Sequence, residues 1–279
     1  MRELRRIQRA RYAWISRAKP DRAVLSWPYT VPERNSLLAV TPALLGSSAP
    51  AKDAACAREL DLSLEVAAVD AAELAAYGDA PIATLQAWRM HTAHALLEDA
   101  KSRALGMLVL AEAVELAASR RIPRVLAVCG FGACEPQAAF ERSVEQFRQV
   151  APSARSHGVR ILIERLGARR TNVLLGADEH ARLHEALAAP EVFGSALDTG
   201  HMLDAGEDPE RVIAEWPLPI EELQLRGRDG SAPSPSDPLE RWIRACRARP
   251  TVVCIEAKRP AASAAELDAL LARVRTALA

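Results

Sequence analysis

The stretch Ser195-Ala196-Leu197-Asp198-Thr199-Gly200-His201 is an apolar run that halts at an acid and presents a histidine three residues later. Two further runs end the same way, Ile161-Leu162-Ile163-Glu164 and Val252-Val253-Cys254-Ile255-Glu256. Carboxylates gathered at the ends of buried strands repel one another and lose hydration unless a cation answers them. A shared divalent metal ion is the simplest such cation.

Outward from these three runs, the chain from about residue 36 alternates short β-branched or Leu-rich segments with longer Ala/Leu/Arg segments of helical period, the pattern of successive βα units. Eight strands are expected: Leu37 to Thr41, Leu62 to Ala67, Ile82 to Ala87, Val125 to Cys129, Val159 to Glu164, Phe193 to Asp198, Ile220 to Leu225 and Thr251 to Glu256. Helical segments follow each: 51–60, 71–77, 102–119, 137–156, 178–188, 209–215, 238–247 and 262–278. Asp208-Pro209 and Asp237-Pro238 read as helix starts, with Asp as cap and Pro in the first turn. The fold class is therefore α/β, a (β/α)8 TIM barrel with a short N-terminal extension, residues 1–35 forming the extension and 36–279 the barrel. Chemistry in such a barrel sits at the C-terminal ends of the strands.

Side-chain alternation along a strand sharpens this. Glu164 shares its face with Leu162, Asp198 with Ala196 and Gly194, and Glu256 with Cys254, so all three acids can face the lumen together. In Ile220-Glu221-Glu222-Leu223-Gln224-Leu225 the same alternation turns Gln224 inward and the leucines outward. The four inward groups are spaced by 34, 26 and 32 residues.

Composition bounds the alternatives. The 279 residues are 49% hydrophobic, enough for one large core, and 36 basic residues balance 36 acidic ones. A neutral chain gives no argument for nucleic acid or an anionic membrane as partner. No run of about eighteen apolar residues is present to span a bilayer. Five scattered cysteines without a CxxC pair indicate neither a disulfide framework nor a zinc ribbon, so the cytoplasm is the expected compartment. The Arg-rich segment Met1 to Pro20 lacks the apolar core of a secretory signal and reads as an arm packing Tyr12, Trp14 and Ile15 on the body. His91 and His94 fall in a loop between His91 and Lys101. His157, His180 and His184 are expected to be exposed on helices, and Cys129 to be a small core residue. Ser231 to Pro238 reads as a semi-rigid crossing over the barrel mouth.

Glu164, Asp198-Thr199-Gly200-His201, Gln224 and Glu256, with Thr171-Asn172-Val173-Leu174 after the first acid, together resemble the xylose-isomerase-like barrel superfamily of sugar-phosphate isomerases and epimerases. The likeness runs from about residue 36 and is strongest from Val159 to Glu256. It implies one divalent metal held by Glu164, Asp198, Gln224 and Glu256. It also implies Glu164 and Glu256 as base and acid on opposite faces of the substrate, and His201 as a contact to a substrate oxygen. Arg226 or Arg228 suits a distal hydroxyl or anionic group, and Glu65 a substrate hydroxyl. Most epimerases of the superfamily carry His where this chain has Gln224, and its Gln is similar to that of hydroxypyruvate isomerases and some dehydroshikimate dehydratases. The Gly-Arg-x-Glu-Pro segment of those isomerases is replaced by Arg226-Gly227-Arg228-Asp229-Gly230. An amide oxygen is a neutral hard ligand, and an all-oxygen shell favours magnesium or manganese over cobalt or zinc.

Four protein ligands on a six-coordinate ion leave about two positions, which suit the carbonyl and neighbouring hydroxyl oxygens of a small sugar, sugar phosphate or hydroxy-keto acid. The expected activity is isomerisation or epimerisation through a cis-enediolate, with Glu164 and Glu256 as proton carriers. A metal-dependent dehydratase and a non-catalytic barrel of the same fold are the competing readings. Partners are a small-molecule sugar or keto acid, with no nucleic acid and no membrane, and a homodimer is compatible with the chain.

Overall fold

The structure is a computed structural model, described for residues 36–47, 49–90, 100–129 and 134–279. The N-terminal extension and residues 91–99, with His91 and His94, lie outside the described residues. Eight strands form a closed parallel barrel in chain order: β1 Leu37–Val40, β2 Ser63–Val66, β3 Ile82–Gln86, β4 Arg124–Val128, β5 Arg160–Glu164, β6 Phe193–Asp198, β7 Ile220–Leu225 and β8 Val252–Ile255. Each matches an expected strand to within a residue at most of its ends, because buried parallel strands leave continuous apolar runs.

The helices are α1 Pro42–Leu45, α2 Pro50–Glu59, α3 Ala71–Ala75, α4 Ala100–Ser119, α5 Pro136–His157, α6 Ala177–Leu187, α7 Thr199–Ala205, α8 Pro209–Glu215, α9 Leu239–Arg244 and α10 Ala264–Leu278. Asp208 caps α8 as expected, accepting a hydrogen bond from the Glu210 N–H at 3.1 Å. Asp237 does not cap α9. Its carboxylate accepts from the Ser234 N–H at 2.6 Å, folding the Pro-rich loop on itself, while Arg273 of α10 donates to the carbonyls of Ser234, Pro235 and Asp237. That loop is thereby tied to the last helix.

The exposure expected for two helical histidines is overturned. His180 and His184 are buried at 0% and 3% exposure, on the face of α6 that also buries Leu183 and Leu187. His180 Nε2 lies 2.9 Å from the Leu174 carbonyl, and its ring packs 5.2 Å from that of Trp216. Trp216 in turn donates to Ser195 Oγ on the outer face of β6 at 2.8 Å. His157 is exposed as expected, and Cys129 is buried.

Inside the barrel the filling is part apolar and part polar. Leu126, Leu162 and Ala196 form one cluster, and Ala39, Ala83, Val252 and Cys254 another. Arg160 pairs with Glu221 and donates to the carbonyls of Pro190 and Phe193, joining the N-terminal ends of β5, β6 and β7. A Cβ on Gly194 would meet Leu162 Cδ2 at 2.7 Å and crowd the Glu221 carboxylate, so a larger residue there would have to displace those side chains. Among the described residues, no helix is long and apolar enough to cross a membrane.

Candidate functional site

Register places the late-strand polar groups side by side. Glu164 is paired with Ala196, Asp198 with Gln224, and Gln224 with Cys254, two residues short of Glu256. Residues paired across neighbouring parallel strands point to the same face. Asp198, the last residue of β6, is also the N-cap of α7: its Oδ1 accepts from the Gly200 N–H at 2.7 Å. The strand therefore turns straight into a helix, and His201, within the first turn, is carried back over the acid that caps it.

Ligand atoms of Glu164, Asp198 and His201 lie within 4.8 Å of one another, and all three residues are buried. His201 Nε2 is 3.3 Å from Glu164 Oε1 and 3.6 Å from Asp198 Oδ2. Burial works against a charged imidazole here, but Asp198 and Glu164 outweigh it and raise the His201 pKa.

Gln224 is 1% exposed, and its Nε2 donates to Glu65 Oε1 at 2.9 Å. Its Oε1 is buried without a hydrogen-bond partner. A buried amide oxygen left without a donor costs about 1–3 kcal/mol. Glu164, Asp198 and His201 are acidic and histidine groups that could hold a divalent cation.

Arg226, expected to suit a distal hydroxyl or anionic group, is 2% exposed, in ion contact through Nη2 with Asp198 Oδ2, and its Nε is 3.6 Å from Glu256 Oε2. The reason is again alternation, since Arg226 follows Gln224 by two residues along the same chain direction. Burial tends to raise the Asp198 carboxyl, but Arg226, His201 and the Gly200 N–H overcome it and hold the acid below its ordinary range. Glu256 goes the other way: burial first, and Asp198 second, push it well above the usual carboxylate range despite Arg226. Arg228, in the 3-10 turn Arg228–Gly230, is exposed, and among the described residues no ion pair joins it to these groups.

Glu65 is the other residue expected to suit a substrate hydroxyl. It is 0% exposed, and its Oε1 accepts from both Gln86 Nε2 and Gln224 Nε2, so the carboxylate addresses the barrel interior. Beside it sits Glu222, 0% exposed and bonded to Thr84 Oγ1 at 2.7 Å, with Cys254 completing the group. Burial and the neighbouring Glu222 hold Glu65 far above its ordinary pKa, and burial raises Glu222 as well. Glu65 Oε2 and Glu222 Oε1 both lack a donor, and one proton shared between the two carboxyls satisfies both. Sequence reasoning missed Glu222. The alternation that turns Gln224 inward turns Glu222 inward too.

Loop contacts complete the surroundings. Arg165, just past β5, makes a two-pronged pair with Glu207 at 2.8 and 2.7 Å and donates to the Leu175 carbonyl at 2.6 Å, fastening the loop after Glu164 to the chain leaving α7. The Asn172 side chain accepts from the Cys134 N–H and donates to the Cys134 carbonyl, both at 3.0 Å, joining the loops after β4 and β5.

Comparison with known proteins agrees with this architecture. Residues 60–232 match the family described as the xylose isomerase-like TIM barrel, and the chain belongs to that family. A search of curated protein sequences finds no significant match. Among solved structures, 3-keto-D-glucoside 4-epimerase from E. coli superposes with a TM-score of 0.70 at 14% identity, over 86% of this chain and 99% of that one. D-psicose 3-epimerase, determined in the presence of D-fructose, gives 0.69 at 19% identity over 87% and 99%. L-ribulose 3-epimerase gives 0.67 at 17% identity over 86% of each chain. At these identities the likeness is one of fold.

Proposed function

We propose that the protein is a divalent-metal-dependent isomerase or epimerase of a small sugar, sugar phosphate or hydroxy-keto acid. The observation that carries this reading is the meeting of Glu164, Asp198 and His201 within 4.8 Å at the C-terminal ends of two late strands; Gln224, paired with Asp198 in register, adds a buried amide oxygen without a partner. Family membership and the epimerase activities named for the three superposed structures support it. Glu164, Asp198, Gln224 and Glu256 are the proposed ligands, with His201 near enough to Glu164 and Asp198 to serve the same ion or a substrate oxygen. Magnesium or manganese suits the oxygen donors. When bound, the ion supplies Lewis acidity that acidifies the proton beside a substrate carbonyl.

The chain's own residues then divide the work. Glu164 and Glu256 carry the proton to and from carbon, and His201 donates to the developing oxyanion. Return of the proton to the same carbon from the other side is epimerisation, and return to its neighbour is isomerisation. The test is solvent-deuterium incorporation into a panel of ketoses and hydroxypyruvate with Mn2+ present. Glu164→Gln and Glu256→Gln should each lower exchange by about 10²-fold or more, the scale of losing a general acid or base. Exchange by Glu256→Gln at the parental rate would show the two-glutamate assignment to be wrong.

A further inference from the structure

Arg226 occupies an unusual place for a cation in a metal site. Its side chain is 3% exposed and lies between Asp198, whose side chain is 0% exposed, and Glu256. Arg226 Nη2 is in direct ion contact with Asp198 Oδ2, and this partner helps hold the Asp198 carboxyl low. The backbone is shaped around this side chain. A Cβ on Gly200, in the first turn of α7, would meet Arg226 Nε at 2.6 Å and the Gly227 carbonyl at 2.9 Å. The Arg226 backbone is pinned as well, its N–H donating to Thr199 Oγ1 and its carbonyl accepting from the same hydroxyl, both at 2.8 Å. Only the guanidinium is free to be exchanged.

We infer that Arg226 is a resident counter-cation of the acid ring, and that its guanidinium and a divalent ion compete for Asp198. The inference rests on the metal reading above. Asp198 and Glu256 flank the guanidinium, His201 lies against Glu164 and Asp198, and Lys258 also feels Asp198 and Glu256, so without a divalent ion Arg226 is the buried charge set directly against Asp198. A doubly charged ion held by Asp198 would lie at close range to the guanidinium. Like charges a few ångströms apart in a buried site repel strongly, so the arginine must swing away for the ion to bind. Metal uptake is thereby coupled to a side-chain movement that keeps the apo barrel intact.

The test is Mn2+ binding to the full chain by calorimetry, parent against Arg226→Met, which removes the charge and keeps the stem. Affinity in the variant should rise at least about tenfold, a factor that a small change in binding free energy suffices to give. The metal-free variant should also melt below the metal-free parent, and Mn2+ should raise its melting temperature more. Equal or weaker binding by Arg226→Met overturns the competition while leaving a metal-binding parent, and hence the proposed function, intact. No uptake by either protein overturns both. Should the variant not fold, the parent is crystallised at saturating Mn2+. Arg226 turned off Asp198 supports the inference, and Arg226 still against Asp198 refutes it.

Discussion

Glu222 and Glu65 meet inside the barrel as two fully buried carboxyls, one hydrogen-bonded by Thr84 and the other by Gln86 and Gln224. Both pKa values are raised, chiefly by burial. An acid whose folded pKa lies above its unfolded one keeps its proton in the fold, so this pair is most favourable at low pH and loses stability as pH climbs past the ordinary carboxylate range. Glu222→Gln retains an acceptor for Thr84 and offers Glu65 a permanent N–H. At pH 7 it should raise the melting temperature by about 2–4 °C for each kcal/mol recovered, and flatten the fall in stability between about pH 5 and 8. Thermal unfolding across that range measures it. By accepting from Gln224 Nε2, Glu65 fixes which end of that amide is left without a partner.

At the scale of elements, α6 carries the clearest pH signature. Burial holds His180 down at about 3 and His184 at about 4, against an ordinary value near 6.5. These rings enter the fold neutral. As pH falls below about 6.5 the unfolded chain takes up protons that the folded chain refuses, and stability declines until the folded values are reached. His184→Gln removes one such group, and its circular-dichroism acid midpoint should move to lower pH than the parent's. The burial was legible: His180, Leu183, His184 and Leu187 form a stripe at helical spacing, and an imidazole on such a stripe faces the core. Helix α7 was not legible, because no turn residues separate it from β6. One carboxylate serves as both strand end and cap.

For the whole molecule, ring closure turns separate strand ends into one site. If the proposed ion binds only the folded chain, Mn2+ at a hundred times its dissociation constant should add about 2.7 kcal/mol of stability. That corresponds to a rise of about 5–10 °C in melting temperature, reversible by a chelator. Scanning calorimetry with and without Mn2+ would reveal it, and an unchanged transition would argue against a bound ion.

Eight strands and their order followed from the sequence alone. Apolar run length and two-residue alternation are local properties that every strand carries with it. That Arg226 lies against Asp198, that Glu65 accepts from Gln224, and that the Gln224 amide oxygen rather than its nitrogen is left unpaired were decided only by the closed barrel. Each of these depends on distances between residues far apart in the chain, such as the 159-residue separation bridged by Gln224 and Glu65. No local pattern encodes such a distance, because register and closure of the ring set it.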